Sequence, residues 1–183
     1  MLSAVEQDWR CREFGRILSE HGVDHLIHFT PVKNLSSILS QGILPRKQAD
    51  WISHEAVCLS VQIPFERMVH SRKARGGVNE VVYLVISTDV LFEKPCQFYR
   101  TSTASKEMRY ESSRNKRRPY YLRELLEYRS DSGEVQIEGK IEPKYIEQIV
   151  LDEIAPVQRL GELNQRFPDY EFVPFELMQP YLN

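Results

Sequence analysis

The run Val81-Val82-Tyr83-Leu84-Val85-Ile86 constrains this 183-residue chain more than any other feature. Six consecutive apolar residues offer no polar face to water, so residues 80–87 read as a strand covered on both sides, central in its sheet. A second stretch, residues 26–44, changes period midway. Leu26, Ile27 and Phe29 form a short buried strand with His28 and Thr30 set into it, closed by Pro31. Leu35, Ile38 and Leu39 then repeat at helical spacing, and Gly42 stops that helix where positive φ is cheap. A histidine and a threonine at a strand's exit, directly before a short amphipathic helix, make a place for a small ligand. On these residues alone His28 has two readings, a ligand contact and a satisfied core histidine beside a turn.

The remaining elements follow from period and punctuation. Val5, Trp9, Phe14, Ile17 and Leu18 lie near helical spacing and predict an amphipathic helix over residues 3–21, ended by Gly22. Residues 45–51 form a polar loop around Trp51. A strand is expected over 56–61, ended by Pro64, and a helix from Phe65 through Met68 and Val69 to the basic run 72–75. Thr88 is placed to cap a short helix toward Leu91 and Phe92. Residues 96–105 are rich in Ser and Thr around Phe98 and Tyr99. Residues 109–118 are charged without periodicity and read as a loop, and its Arg114, Lys116, Arg117 and Arg118 form the most basic window in the chain. Tyr121, Leu122, Leu125 and Leu126 predict a helix, and residues 131–133 a turn.

The alternation of Glu134-Val135-Gln136-Ile137-Glu138 predicts a half-buried strand, with Val135 and Ile137 toward the core and the polar three on an open face. A strand over 146–151, a helix at Leu160, Leu163 and Phe167, and a last strand over 170–175 complete the pattern. Strands and helices alternate irregularly, which points to an α+β fold with a mixed or antiparallel sheet. No repeat, low-complexity tract or linker divides the chain, so one domain over residues 1–183 is expected.

Several function classes drop out. A net charge of −2 carries no global basic signal, so any nucleic-acid contact must rest on a local patch. Cys11, Cys58 and Cys96 are odd in number, far apart and without a CxxC pair, which fits buried thiols in a reducing compartment. With no apolar run of membrane-spanning length and no secretion signal in the charged N-terminal segment, a cytoplasmic protein is expected. Neither glycine-rich phosphate motif is present. His25 and His28 lack further ligands at zinc spacing, so no metal site is expected. Cys58, inside a strand, reads as core more than as a nucleophile paired with His54.

The polar row at Glu134, Gln136 and Glu138 leaves two readings open. Carboxylates on an open strand face are ordinarily just solvated. A carboxylate there, opposite a histidine at another strand's exit, would instead hold a ribose hydroxyl and stabilise the oxocarbenium ion of a breaking glycosidic bond. A cation at Arg46 or Arg72 would hold a pyrophosphate by bidentate contacts.

Four blocks, in order from His25 to Leu151, resemble the DarT family, DNA ADP-ribosyltransferase toxins whose partner antitoxin DarG carries a macrodomain. The first is His28-Phe29-Thr30 with Asn34-Leu35, Ile38-Leu39 and Gly42. The second is Cys58-Leu59-Ser60 to Pro64, then Met68 and Arg72. The third is Val82 to Ile86 followed by Cys96-Gln97-Phe98-Tyr99, Thr101, Ala104 and Ser105. The fourth is Gly133-Glu134-Val135 with Ile141, Pro143, Tyr145 and Ile146.

The resemblance implies an ADP-ribosyltransferase fold, a split mixed β-sheet with surrounding helices that clamps NAD⁺ in the cleft between its halves. NAD⁺ would be consumed as substrate, nicotinamide leaving and ADP-ribose passing to a base in single-stranded DNA. Carried over, His28 would contact the nicotinamide-side ribose, Thr30, Asn34 and Gly42 would line the NAD⁺ pocket, and Glu134 would be the catalytic glutamate. The family often carries its catalytic arginine on a longer loop after the glycine. Here the loop is short, Arg46 takes that role, and Arg72 is the substitute. The family often has Asn where this chain has Ser102, which leaves the acceptor open: RNA and protein acceptors, and a catalytically degenerate nucleotide-binding module, remain alternatives. Gln136-Ile137-Glu138 also resembles the Q-x-E pair of other ADP-ribosyltransferases, which would select Glu138, whereas the spacing to Ile146 selects Glu134. The basic window Arg114, Lys116, Arg117 and Arg118, with Tyr120 or Tyr121 for stacking, would meet the nucleic acid.

Overall fold

The computed structural model describes residues 2–47, 55–61, 81–101, 108, 111–128, 133–151 and 157–174. Helix α1 (Ala4–Glu20) is capped by Ser3, whose hydroxyl accepts from the Glu6 N–H at 3.2 Å. It ends in a Schellman turn: Gly22 has φ +65°, its N–H donates to Ser19 O, and the Val23 N–H donates to Leu18 O. The buried stripe of α1 differs from the expected one. It is Arg10, Phe14, Ile17 and Leu18, while Val5 and Trp9 are exposed. Arg10 buries its stem and donates from Nη1 to Leu91 O (3.3 Å) and Lys94 O (2.9 Å), so a cation occupies a core-facing position by serving carbonyls at the end of another helix.

Strand β1 (His25–Pro31), a 3₁₀ turn (Val32–Asn34) and α2 (Leu35–Gln41) are followed by the short β2 (Arg46–Lys47) and by β3 (Glu55–Leu59). Next come β4 (Val81–Ser87), α3 (Asp89–Glu93), β5 (Cys96–Tyr99), α4 (Ser113–Lys116) and α5 (Pro119–Tyr128). The described chain closes with β6 (Glu134–Glu138), β7 (Ile146–Leu151), α6 (Val157–Arg166) and β8 (Phe172–Pro174).

Among the described residues the strands form two four-stranded sheets, β1-β4-β7-β8 and β2-β3-β6-β5. The first is mixed, because β8 runs parallel to β7 while its other pairs are antiparallel. The second is antiparallel throughout. They meet at an isolated bridge, where Ile27 and Ser60 exchange both backbone hydrogen bonds at 2.8 Å. The fold is therefore α+β with a split mixed sheet, as the resemblance implied.

β4 lies between β1 and β7 and is buried along both faces. Val82, Leu84 and Ile86 join the main core with Phe14, Leu26, Val57, Phe98, Leu122, Val135 and Ile137. Tyr83 and Val85 sit in a second cluster with Ile27, Phe29 and Val150. That double burial is what the unbroken apolar run required.

Three local expectations are corrected. Residues 113–116 of the supposed loop form a helical turn, because Ser112 caps it by accepting from the Asn115 N–H at 3.2 Å. Thr88 makes no capping bond; the Ser87 hydroxyl accepts from the Asp89 N–H instead, at 3.4 Å. The polar face of β6 is not open, for Gln136 is fully buried between two half-buried glutamates. The expected helix beginning at Phe65, and with it Arg72, lies outside the described residues, as do Trp51, Ser102 and most of the 131–133 turn. Among the described residues no helix is long and apolar enough to cross a membrane.

Candidate active site

A cavity of about 330 Å³ opens where the sheets part, lined by β1, α2 and the residues after it, β3 and the start of β6. That volume falls in the range of small-ligand pockets, roughly 300–1,000 Å³. Six of the residues singled out from sequence reach it: His28, Thr30, Asn34, Gly42, Arg46 and Glu134. Residues separated by more than a hundred positions meet because β3 pairs with β6 while Ile27 bridges to Ser60 just past β3.

Each is held by local chemistry. The Nδ1 of His28 lies 3.0 Å from the carbonyl oxygen of Cys58. A carbonyl only accepts, so Nδ1 carries the proton in this contact. Asn34 Nδ2 donates to Thr30 Oγ1 at 3.1 Å, tying the strand exit to the 3₁₀ turn that precedes α2. Alternation separates His28 from His25: His28 shares the face of Leu26 and Thr30, while His25 pairs with Asp24 and does not line the cavity. Among the described residues no group of His, Cys, Asp and Glu is arranged to hold a metal ion.

Gly42 does more than end a helix. Its φ is +91°, and a Cβ built on it would lie 2.3 Å from the carbonyl oxygen of Ile141. Ile43 and Ile141 exchange backbone hydrogen bonds of 2.8 and 3.0 Å just beyond it. Only glycine lets the end of α2 approach that backbone, and this approach carries the chain into β2, where Arg46 pairs with Ala56.

Cys58, read from the sequence as core, also lines the cavity. Its carbonyl orients His28, and its thiol lies 3.8 Å from Glu134 Oε2 and accepts from Gln136 Nε2 at 3.7 Å. Burial first, and then the charge of Glu134, push the thiol far above its ordinary range, while Arg46 pulls the other way. Cys58 is thus a neutral donor toward Glu134, not a nucleophile. The signal was its register with Gln136, which only the strand pairing reveals.

Glu138 sits elsewhere. At the far end of β6 its Oε1 accepts from Gln97 Nε2 at 3.1 Å and pairs with Arg117, and it lines a separate surface groove. Within the basic window, Lys116 is not a surface cation. It is buried with its Nζ 4.9 Å from the centre of the Tyr99 ring, and burial lowers its pKa. Arg117 and Arg118 are exposed, and Arg114 lies on α4.

No protein-family model and no curated protein matches the chain. Solved structures do. Thermus sp. 2.9 DarT in complex with NAD⁺ is 15% identical, with a TM-score of 0.56 over 88% of this chain and 98% of that one. The same protein in complex with ADP-ribosylated ssDNA is 14% identical, also at 0.56, over 88% and 97%. Thermosipho africanus DarTG in complex with ADP-ribose is 14% identical at 0.53, over 82% of this chain and 50% of that one, so the present chain spans half of its length. The fold is therefore that of the DarT structures.

Proposed function

We propose that this chain is an NAD⁺-dependent ADP-ribosyltransferase that transfers ADP-ribose to a base in single-stranded DNA. The observation that carries the reading is one cavity on which His28, Arg46 and Glu134 converge from three different strands, in a fold shared with DarT bound to NAD⁺ and to ADP-ribosylated ssDNA. His28 offers Nε2 to a hydroxyl of the nicotinamide-side ribose, and Thr30 and Asn34 line the dinucleotide's path. Gly42 seats the loop from which Arg46 reaches the pyrophosphate, with Arg72 as the substitute cation. Glu134 is the catalytic glutamate. Cys58 is a positioning residue behind it.

The chemistry is a glycosyl transfer. The bond from nicotinamide nitrogen to C1 of the ribose breaks with its electron pair leaving on nicotinamide, and positive charge develops on the sugar. The carboxylate of Glu134 stabilises that charge. A nucleophilic atom of the base then bonds to C1 from the other side, and its displaced proton passes to Glu134 or to water. Arg117 and Arg118, with Arg114 on the same segment, supply phosphate contacts to the single strand. On this reading the protein acts as a cytoplasmic toxin or phage-defence enzyme, with a macrodomain antitoxin as its partner.

The test is incubation with NAD⁺ labelled in the ADP-ribose moiety and separate DNA, RNA and protein acceptors. Label on single-stranded DNA that vanishes in Glu134→Gln is the expected result. Label only on RNA or only on protein overturns the choice of acceptor, and absence of nicotinamide release with every acceptor overturns the enzyme.

A further inference from the structure

A second concavity, about 770 Å³, lies at the opposite end of β6 from the candidate active site. One wall is a face of α1 carrying Trp9 and Arg10, the other the α4–α5 junction with Arg117, Arg118 and Tyr120, and Glu138 lies on its floor. Two large aromatics are exposed here, Trp9 at 40% and Tyr120 at 61%. Neither ring is loose. Trp9 packs edge-on against Phe14 with centroids 5.8 Å apart, and Tyr120 packs edge-on against Tyr121 at 5.5 Å while its hydroxyl donates to Glu124 at 2.7 Å.

The charges are equally ordered. Both carboxylates of the groove are already neutralised, Glu6 by Arg10 at 3.0 Å and Glu138 by Arg117. That leaves Arg118, exposed and without a carboxylate partner among the described residues, as the surplus positive charge. Braced aromatic faces beside a surplus arginine, with no uncompensated carboxylate, are the elements of a platform for unpaired bases and their phosphates.

We infer that this groove binds nucleotides of the acceptor single strand lying beyond the modified base. The inference rests on the transferase reading for its orientation. Glu134 and Glu138 mark the two ends of β6, about 13 Å apart at ~3.3 Å per residue, and Gln136 between them is covered, so a strand whose acceptor base reaches Glu134 passes over that cover to reach Trp9 and Tyr120. Specificity for strand length, and tolerance of sequence in the flanking bases, follow from stacking in place of base-edge hydrogen bonds.

The experiment measures fluorescence anisotropy of labelled single-stranded DNA, about 4 and about 16 nucleotides long, on Glu134→Gln protein so that no transfer occurs. Trp9→Ala and Tyr120→Ala should each weaken the long oligonucleotide roughly tenfold, with less than twofold loss on the short one. Trp9→Phe, which keeps an aromatic face and the contact with Phe14, should recover most of the affinity, and circular dichroism establishes that each variant is folded. Unaltered binding of the long oligonucleotide by both alanine variants overturns the inference. So does equal loss on long and short oligonucleotides, or no binding of single strands at all. Nicotinamide release is measured separately on wild-type protein; its absence refutes the transferase reading whatever the groove does.

Discussion

Replacing Gly42 by alanine tests how the loop that carries Arg46 is held. Three contributions add. The backbone at φ +91°, ψ 175° is a region populated essentially by glycine alone, and placing a side chain there costs about 1–3 kcal/mol. The added Cβ would stand 2.3 Å from Ile141 O, against 3.4 Å or more for an ordinary contact, so one backbone must move by about 1 Å. That movement loosens the two Ile43–Ile141 hydrogen bonds, each contributing about 1 kcal/mol. The expected loss is about 3–5 kcal/mol. Gly22→Ala is the control, since Gly22 also has positive φ, +65°, but has nothing within 4 Å of a Cβ; its cost is the backbone strain alone, about 1–2 kcal/mol. Urea unfolding of the two variants measures the difference, with m unchanged if the unfolded state is unaffected. Gly42→Ala should also weaken NAD⁺ binding in calorimetry. Equal losses of stability in both variants would refute the argument that close approach, not helix termination alone, selects glycine at position 42.

At Cys58 the pair of substitutions Ser and Val separates hydrogen bonding from packing. Val, which removes the donor to Glu134, should lower kcat about tenfold with KM little changed, Ser should keep most of the activity, and equal rates for both would remove Cys58 from the site. Lys116→Met should leave the slope of log K against log salt for single-stranded DNA as it is, because Lys116 is packed on Tyr99, whereas Arg118→Ala should flatten that slope by about one unit. Glu93 accepts from Lys144 Nζ at 2.8 Å and from Tyr145 Oη at 2.6 Å, and these hold its carboxyl below the usual range. Its contribution is therefore present above the unfolded carboxylate pKa of about 4.3 and lost as pH falls through the depressed folded value. The stability gap between wild type and Glu93→Gln, measured by urea unfolding, should be present at neutral pH, amount to less than about 1 kcal/mol for so exposed a pair, and close in acid.

The central strand and the cavity's membership were legible for definite reasons. Six apolar residues in a row admit only two-sided burial, and they occupy β4. The change of period after Pro31 places His28 and Thr30 at a strand exit whatever the rest of the chain does. What sequence could not convey was the surroundings of polar residues. Gln136 alternates with Val135 and Ile137 as a solvated residue would, yet its face is covered, and its amide nitrogen turns to Cys58. Lys116 and Arg10 are charged and still buried, because a ring and a set of helix-end carbonyls receive them, and periodicity does not register such partners. That Glu134 opens on the cavity and Glu138 on the separate groove likewise depends on how the two sheets meet, which no local pattern conveys.

The most direct measurement is mass spectrometry of a single-stranded DNA oligonucleotide incubated with the protein and NAD⁺, in parallel with Glu134→Gln and Glu138→Gln. A mass gain of one ADP-ribose on the DNA, matched by free nicotinamide, abolished by Glu134→Gln and retained by Glu138→Gln, is the predicted result. An unmodified oligonucleotide with wild-type protein, or modification that survives Glu134→Gln, would contradict it.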